Sequence, residues 1–200
     1  SCIALFNRFS EERLNIEEAL SKVDEEDTLF NILLMYREYR DALSDSGNVA
    51  MCDLSLIQDK ALEIIENYEG SSTIFKYLII DEYQDTNFIQ EQLYFKLAGN
   101  KNICVVGDDD QALYRFRGST VENFVEFPDR VKLYLDEGTT KISLSINYRS
   151  RKKIVDYYSA FIENEDWTKN GDVNKQYRVH DKDIISHSKD DKTSVVFIDD

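Results

Sequence analysis

The stretch of sequence that decides the fold is LIIDEYQDTN at residues 78–87, in which an apolar run ends in two acidic residues. Two further apolar runs, ICVVG at 103–107 and the segment 140–146, also end in polar residues. The polar groups that follow the three runs are, in order, Asp81 and Glu82; Asp108, Asp109, Asp110 and Gln111; and Asn147, Tyr148, Arg149 and Ser150. Buried strands of a parallel sheet are continuous apolar runs, and such sheets carry their sites at the carboxyl ends of the strands. The sequence therefore predicts three strands of one parallel sheet with a polar site along one edge.

The rest of the chain alternates between helical and strand patterns, which favours an α/β fold. Apolar residues at helical spacing predict N-terminal helices over 11–23, 27–43 and 53–67, the last with Asp53 as its N-cap. From residue 75 onward we predict strand 75–80, helix 86–98, strand 102–106, a short turn or helix 109–115, helix 119–127, strands 131–135 and 140–146, helix 151–164 and, after a polar linker, strand 195–198.

These elements predict three regions along the chain. Residues 1–70 form a helical segment, and residues 71–164 form a parallel sheet flanked by helices. Residues 165–200 form a linker and one further strand.

The composition fits a folded protein without a membrane span. Of the 200 residues, 42% are hydrophobic and 12% aromatic, which is too apolar for a disordered chain. No apolar stretch approaches the roughly 18 residues of a membrane helix. Three cysteines (Cys2, Cys52 and Cys104) and two histidines (His180 and His187) lack metal-ligand spacing. We therefore expect a reduced, cytoplasmic protein without structural zinc.

The net charge of −15 argues against binding nucleic acid through broad electrostatics, because phosphate contacts need Lys and Arg. Positive charge is concentrated locally instead, with Arg115 and Arg117 on either side of Phe116 and four cations within 149–153. Phe116 is either a core residue or an exposed ring on which a base stacks, a contact worth about 1–3 kcal/mol. Any nucleic-acid contact is expected to be local.

Asp81 and Glu82 have the chemistry of a metal-assisted hydrolytic site. A carboxylate at a strand end can hold Mg²⁺ directly or through water. A second carboxylate one residue later points elsewhere and can accept a proton from an attacking water. The alternative is a pair of loop carboxylates ahead of a helix, for which Thr86 is the predicted N-cap.

Gln111 and Arg149 are the candidates for sensing a phosphate. An amide can contact a γ-phosphate or orient water without adding charge, although 108–111 also fits a solvated acidic turn. Arg149 and the cations at 151–153 lie at the start of a predicted helix, where the helix dipole disfavours each by roughly 0.3–1 kcal/mol. A bound anion relieves this cost, and phosphate is the obvious candidate.

Taken together, IIDEYQDTN (79–87), VVGDDDQALYRFRGS (105–119) and SINYRS (145–150) resemble motifs II, III and IV of the UvrD/Rep/PcrA-like superfamily 1 DNA helicases. The resemblance covers about residues 75–163, and a weaker one reaches back through 36–66. It implies a partial RecA-like P-loop NTPase domain that uses ATP and Mg²⁺. The implied partners are single-stranded DNA or duplex/single-strand junctions and the remaining helicase domains, with no membrane.

The resemblance also implies roles for individual residues. Asp81 is the implied Mg²⁺ carboxylate, and Glu82 the general base for attack of water on ATP. Gln111 contacts the γ-phosphate and couples its loss to the grip on DNA. Tyr148 stacks near adenine, and Arg149 acts as an arginine finger, worth roughly 10³–10⁵ in turnover in phosphoryl-transfer systems. The residues implied to face single-stranded DNA are Tyr114, Phe116 and Arg117, with Phe116 at a position usually held by Trp.

One part of a nucleoside triphosphatase cannot be found in this sequence. It has seven glycines, none followed by Lys, so no G-x-x-x-x-G-K-[ST] phosphate loop can be written. We expect an internal slice of a longer helicase that is inactive as an isolated chain. Two alternatives stay open: a stand-alone, catalytically dead helicase-like module that binds proteins, and a metal-dependent nuclease using Asp81, Asp85 and the aspartates at 108–110.

Overall fold

The computed structural model of the protein describes residues 2–44, 51–112, 121–169, 171–179 and 182–189, without the side chains of 173–175. Two compact units divide between Glu137 and Gly138. The helices described in the first unit are α1 (Cys2–Glu11), α2 (Ile16–Leu20), α3 (Thr28–Ser44), α4 (Leu54–Asn67), α5 (Phe88–Leu97), α6 (Val121–Val125) and α7 (Phe127–Leu135). Its described strands are β1 (Leu78–Ile80) and β2 (Ile103–Val105), with 3₁₀ turns at Ser71–Thr73, Tyr83–Asp85 and Asp109–Gln111.

The N-terminal helices pack around buried aromatic and aliphatic side chains. Tyr36 of α3 and Leu62 of α4 are fully buried, and α1 packs against α4. The Tyr36 hydroxyl shares a 2.8 Å hydrogen bond with Ser10 Oγ of α1, so the polar end of this buried ring has a partner. The predicted helical segment at the N-terminus is therefore held by a small core of its own.

Asp53 is the N-cap of α4, as predicted. Its Oδ1 accepts hydrogen bonds from the backbone N–H groups of Ser55 (2.9 Å) and Leu56 (2.7 Å). Its Oδ2 accepts a 2.7 Å hydrogen bond from the Tyr39 hydroxyl. That bond, together with burial, raises the pKa of Tyr39 to about 12. One carboxylate thus starts α4 and ties it to α3.

The predicted single helix over 11–23 is wrong, because the chain breaks there into α1 and α2. Arg13 adopts a left-handed backbone conformation (φ 51°), which a continuous helix does not allow. Asn15 then caps α2, accepting a hydrogen bond from the Glu18 backbone N–H. An asparagine at this point favours a new helix start over continuation of the old helix.

β1 and β2 pair in parallel, with Leu78 opposite Ile103 and Ile80 opposite Val105. The pairing continues past both strands, since Val106 N–H donates to the Ile80 carbonyl (2.8 Å) and Tyr83 N–H donates to the Val106 carbonyl (3.0 Å). The carboxyl ends of both strands therefore meet at one edge, as predicted.

The helix after β1 starts one residue later than predicted. Asn87, not Thr86, is the N-cap of α5, and it forms a reciprocal capping box with Gln90. Thr86 is buried and ends the preceding 3₁₀ turn instead.

Two strand predictions are wrong. Residues 131–135 belong to α7, which has a proline in its first turn and buries Val131. Residues 140–145 form no strand, and the side chains of Ile142 and Leu144 are 79% and 83% exposed. The expected third strand of one sheet is therefore absent from this described segment, and the described strands of this mixed α/β chain form three separate two-stranded sheets.

The described elements of the second unit are β3 (Ile146–Arg151), α8 (Lys152–Glu163), β4 (Thr168–Lys169), β5 (Asp172–Gln176) and β6 (Ile185–Ser188). β3 pairs in parallel with β6, and β4 pairs antiparallel with β5. The helix predicted over 151–164 is confirmed by α8, whereas the strand predicted at 195–198 lies outside the described residues. Within the described part of the chain, no helix is both long and apolar enough to cross a bilayer.

Candidate functional site

Asp81 and Glu82 lie directly after β1, and both side chains are exposed. Glu82 has a left-handed backbone (φ 52°, ψ 41°), a conformation that costs a residue with a Cβ about 1–2 kcal/mol. Its N–H donates a 3.0 Å hydrogen bond to Asp81 Oδ1. The backbone therefore turns sharply at the second acidic residue, and a strained residue of this kind is often found at a functional site.

The carboxylate of Asp81 fits a hard cation such as Mg²⁺, which takes oxygen ligands. Only one of its two oxygens takes a hydrogen bond within the described residues, and the group is exposed at the strand end. Asp81 is therefore one residue at this edge that could hold the ion.

A buried cluster supports the turn from beneath. Tyr83 is fully buried, packs edge-on against Phe127 with ring centroids 5.2 Å apart, and donates a 3.2 Å hydrogen bond to Glu91 Oε1. Arg130 Nη1 donates to Glu91 Oε2 at 2.6 Å. Burial raises the pKa of the Glu91 carboxyl to about 7, although the charge of Arg130 and both hydrogen bonds lower it. Burial also raises the pKa of Tyr83. The turn is thus anchored by a partnered polar group inside the core.

Gln84 joins this turn to the segment after β2. The side chain is 1% exposed; its Nε2 donates to Glu82 Oε2 at 2.6 Å, and its Oε1 accepts from the Asp108 backbone N–H at 3.0 Å. Gln84 is not among the residues that the sequence predicts for this site. In the sequence, the feature that could have indicated Gln84 is its position two residues after Glu82 in an acidic turn. This spacing alone does not predict hydrogen bonds to both Glu82 and Asp108.

The segment 108–111 is a 3₁₀ turn held by its own first residue. Asp108 accepts hydrogen bonds from the Asp110 backbone N–H (3.2 Å) and from Gln111 Nε2 (2.8 Å). The carboxylates of Asp108, Asp109 and Asp110 lie within 4.8 Å of one another. Gln111 is exposed. The structure therefore places the predicted phosphate sensor on the same sheet edge as Asp81 and Glu82.

The three predicted DNA contacts, Tyr114, Phe116 and Arg117, lie outside the described residues.

Tyr148 and Arg149 lie on β3 in the second unit, and both are exposed. Asn147 Oδ1 accepts hydrogen bonds from the backbone N–H groups of Arg149 (3.0 Å) and Ser150 (2.8 Å). The Tyr148 ring lies 4.8 Å from the ring of His187 on β6, centroid to centroid. His187 has no partner at metal-ligand spacing in the sequence, and the β3–β6 pairing places it beside Tyr148.

The cations at the start of α8 are partly balanced within the chain. Lys152 pairs with Asp156 one turn later, at 2.5 Å. A bound anion is therefore not needed to offset the positive charge at that position, which weakens the sequence argument for phosphate made from Lys152.

Comparison with known proteins finds similarity to DNA helicases. The profile of the UvrD/REP helicase N-terminal domain matches residues 1–132. The chain is 38% identical over 137 residues to the "Probable DNA helicase II homolog" of Rickettsia conorii, a match that covers 66% of the chain and 20% of that relative. It is 34% identical over 148 residues to the ATP-dependent DNA helicase PcrA of Bacillus subtilis (68% and 19%). It is 36% identical over 139 residues to PcrA of Staphylococcus aureus (66% and 18%).

The parallel strand pair, with acidic and amide groups at its carboxyl edge, defines an α/β protein with a polar site at that edge. The chain belongs to the UvrD/REP helicase N-terminal domain family, whose profile covers more than half of it. It spans about a fifth of the length of the curated relatives it matches.

Proposed function

We propose that this chain carries the water-activating and phosphate-sensing part of the ATPase site of an ATP-dependent DNA helicase. Residues 71–164 are proposed to form part of a RecA-like first motor domain, and residues 79–87, 105–119 and 145–150 its motifs II, III and IV. The observation that carries the proposal is the parallel β1–β2 pair, which brings Asp81, Glu82 and Gln111 to one edge. The curated relatives named as ATP-dependent DNA helicases support it.

In this proposal each residue at the edge acts through a group that the structure leaves accessible. Asp81 holds Mg²⁺, which neutralises charge on the phosphates when bound. Glu82 accepts the proton of the attacking water at its carboxylate. Gln111 binds the γ-phosphate through its amide; in the structure this amide is bonded to Asp108, so phosphate binding exchanges one partner for another.

The remaining proposed contacts lie elsewhere in the chain. Arg149 stabilises charge on the transferred phosphoryl group, and the exposed Tyr148 ring stacks on the base of ATP. Tyr114, Phe116 and Arg117 contact single-stranded DNA, the first two by stacking. The 200-residue chain by itself does not hydrolyse ATP at a measurable rate, because no lysine of a phosphate loop is available to the β- and γ-phosphates.

Glu82→Gln tests the proposal. Introduced into the native gene product purified from its own cells, it is expected to lower DNA-stimulated kcat for ATP by about 10²–10⁴, because the proton acceptor is lost. KM for ATP should change little, since Gln keeps the size and the hydrogen-bonding reach of Glu. The matched control is Glu69→Gln, an exposed carboxylate in the turn after α4. Wild-type turnover in Glu82→Gln, or native protein that shows no ATPase with or without DNA, contradicts the proposal.

A further inference from the structure

Gln84 is a buried amide whose two ends are both occupied by the candidate site. One end donates to the Glu82 carboxylate at 2.6 Å, and the other accepts from the Asp108 backbone N–H at 3.0 Å. These two partners belong to different segments, one after β1 and one after β2. A side chain that is 1% exposed cannot exchange either bond for bulk water without local opening.

The orientation of this amide is determined by its partners. The Asp108 N–H can only donate, and an ionised Glu82 carboxylate can only accept, so Oε1 must face Asp108 and Nε2 must face Glu82. A carboxylic side chain at position 84 satisfies both partners only when it carries a proton. Methionine, of similar shape, satisfies neither.

Gly107 leaves space for the Gln84 amide because it has no side chain. A Cβ on Gly107 would lie 2.6 Å from Gln84 Oε1 and 3.0 Å from the Phe124 ring. The backbone of Gly107 is not in the left-handed region, so a glycine is not required there by its φ angle. What the glycine permits is the close approach of the Gln84 amide to the segment after β2.

We propose that Gln84 is a positioning residue that holds the Glu82 carboxylate in place and links it to the turn at 108–111. This inference rests on the proposed role of Glu82 as the group that activates water. Gln84 touches neither ATP nor DNA in the proposal; it acts through Glu82.

The link also makes the two segments move together. Asp108, bonded to Gln84 through its N–H, accepts a hydrogen bond from Gln111 through its carboxylate. A continuous path of hydrogen bonds therefore runs from Glu82 through Gln84 and Asp108 to Gln111. Displacement of the 108–111 turn when a γ-phosphate is bound or lost shifts the anchor of Glu82.

Two variants of the native gene product test the positioning role by steady-state ATPase assay. Gln84→Met is expected to lower kcat by about 10–100-fold with KM for ATP within about twofold, because a misplaced general base slows chemistry without weakening ATP binding. Gln84→Glu is expected to be about equally slow, because it loses the donor to the Glu82 carboxylate while keeping an acceptor for the Asp108 N–H. The matched control is Gln92→Met in α5, which should leave kcat unchanged.

A measurement on the 200-residue chain checks the geometry without ATPase activity. Amide hydrogen exchange at Asp108 should be at least about tenfold faster in Gln84→Met, because its acceptor is gone, and close to wild type in Gln84→Glu, which keeps an acceptor oxygen. This readout does not depend on catalysis, and it serves even if one variant yields too little active enzyme.

The possible outcomes separate this inference from the proposed function. If Glu82→Gln abolishes turnover while Gln84→Met does not, the positioning role is overturned and the proposed function stands. If Glu82→Gln has no effect, both are overturned. Wild-type turnover in Gln84→Glu, or Asp108 exchange that is unchanged in Gln84→Met, also overturns the positioning role. Slow turnover in Gln84→Met and Gln84→Glu, with faster Asp108 exchange in Gln84→Met, supports it.

Discussion

Glu91→Gln is expected to remove a specific part of the pH dependence of stability. Glu91 is fully buried beneath the acidic turn, where it accepts hydrogen bonds from Tyr83 and Arg130. Burial raises its pKa from 4.5 to about 7 in the folded chain. Between these two values the folded chain holds a proton that the unfolded chain releases. The free energy of unfolding should therefore fall as the pH rises through this window and level off above about 7.

The size of the effect follows from the displacement of the pKa. A change from 4.5 to about 7 corresponds to about 3 kcal/mol, at 1.36 kcal/mol per pH unit. The amide introduced by Glu91→Gln is neutral throughout, so the variant keeps the shape of the side chain and loses this titration. It also loses one of the two acceptor oxygens, a cost that does not vary with pH in the variant. Relative to the variant, wild type should therefore lose about 3 kcal/mol of stability between about pH 4.5 and about pH 8.

The assay is urea unfolding of the 200-residue chain followed by far-ultraviolet circular dichroism at a series of pH values. The quantity of interest is the difference in unfolding free energy between wild type and Glu91→Gln, because the other carboxylates titrate in both. Glu126→Gln is the matched control, since Glu126 lies 3.8 Å from the same Arg130 but its side chain is 37% exposed.

Parallel stability curves for wild type and Glu91→Gln would refute the reasoning. A difference that grows in favour of wild type as the pH rises would also refute it. That result would mean that Arg130 outweighs burial and keeps Glu91 ionised.

Two further changes test the cap of α4 and the space around Gln84. Asp53→Ala should lower the free energy of unfolding, measured by urea unfolding, by about 1–2 kcal/mol, since it removes the acceptor for two helix N–H groups and for Tyr39. Asp53→Asn should lower the free energy of unfolding less. A loss of stability in Asp53→Ala no larger than that in the exposed control Asp24→Ala would contradict the capping role. Gly107→Ala should lower kcat of the native gene product by about 10–100-fold, because its Cβ displaces the Gln84 amide. In a chain that already carries Gln84→Ala, the same change should lower kcat by less than a further factor of about two. The control is Gly138→Ala, where a Cβ would have no described atom within 4 Å. If the effects of Gly107→Ala and Gln84→Ala on kcat are fully additive, the two changes do not act through a shared cause.

The sequence predicted well the parts of the molecule whose signals are local. The apolar runs that become β1 and β2 end in acidic and amide residues, and their parallel pairing brings these groups to one edge. Asp53 was identified as a cap because the bonds of an N-cap reach only two or three residues along the chain. The resemblance to the helicase motifs, likewise carried by contiguous residues, is confirmed at the level of the family.

The errors fall where a local pattern fits more than one structure. Residues 131–135 alternate enough to suggest a strand, yet Phe127 and Val131 are four residues apart and the proline at 128 suits a helix start. Residues 140–145 are apolar enough for a buried strand, but no neighbour in their own unit buries Ile142 or Leu144 among the described residues. A short apolar run does not specify its own burial, because burial depends on what packs against it.

The sequence by itself determined which residue types stand at the ends of β1 and β2, and hence the kind of chemistry this edge can perform. Only the tertiary structure decided how they are held. Gln84 reaches Asp108 across 24 positions, and Arg130 reaches Glu91 across 39. The physical reason is that periodicity and capping report contacts within a few residues, whereas a buried hydrogen bond between distant segments exists only once strand pairing and core packing have brought its partners together.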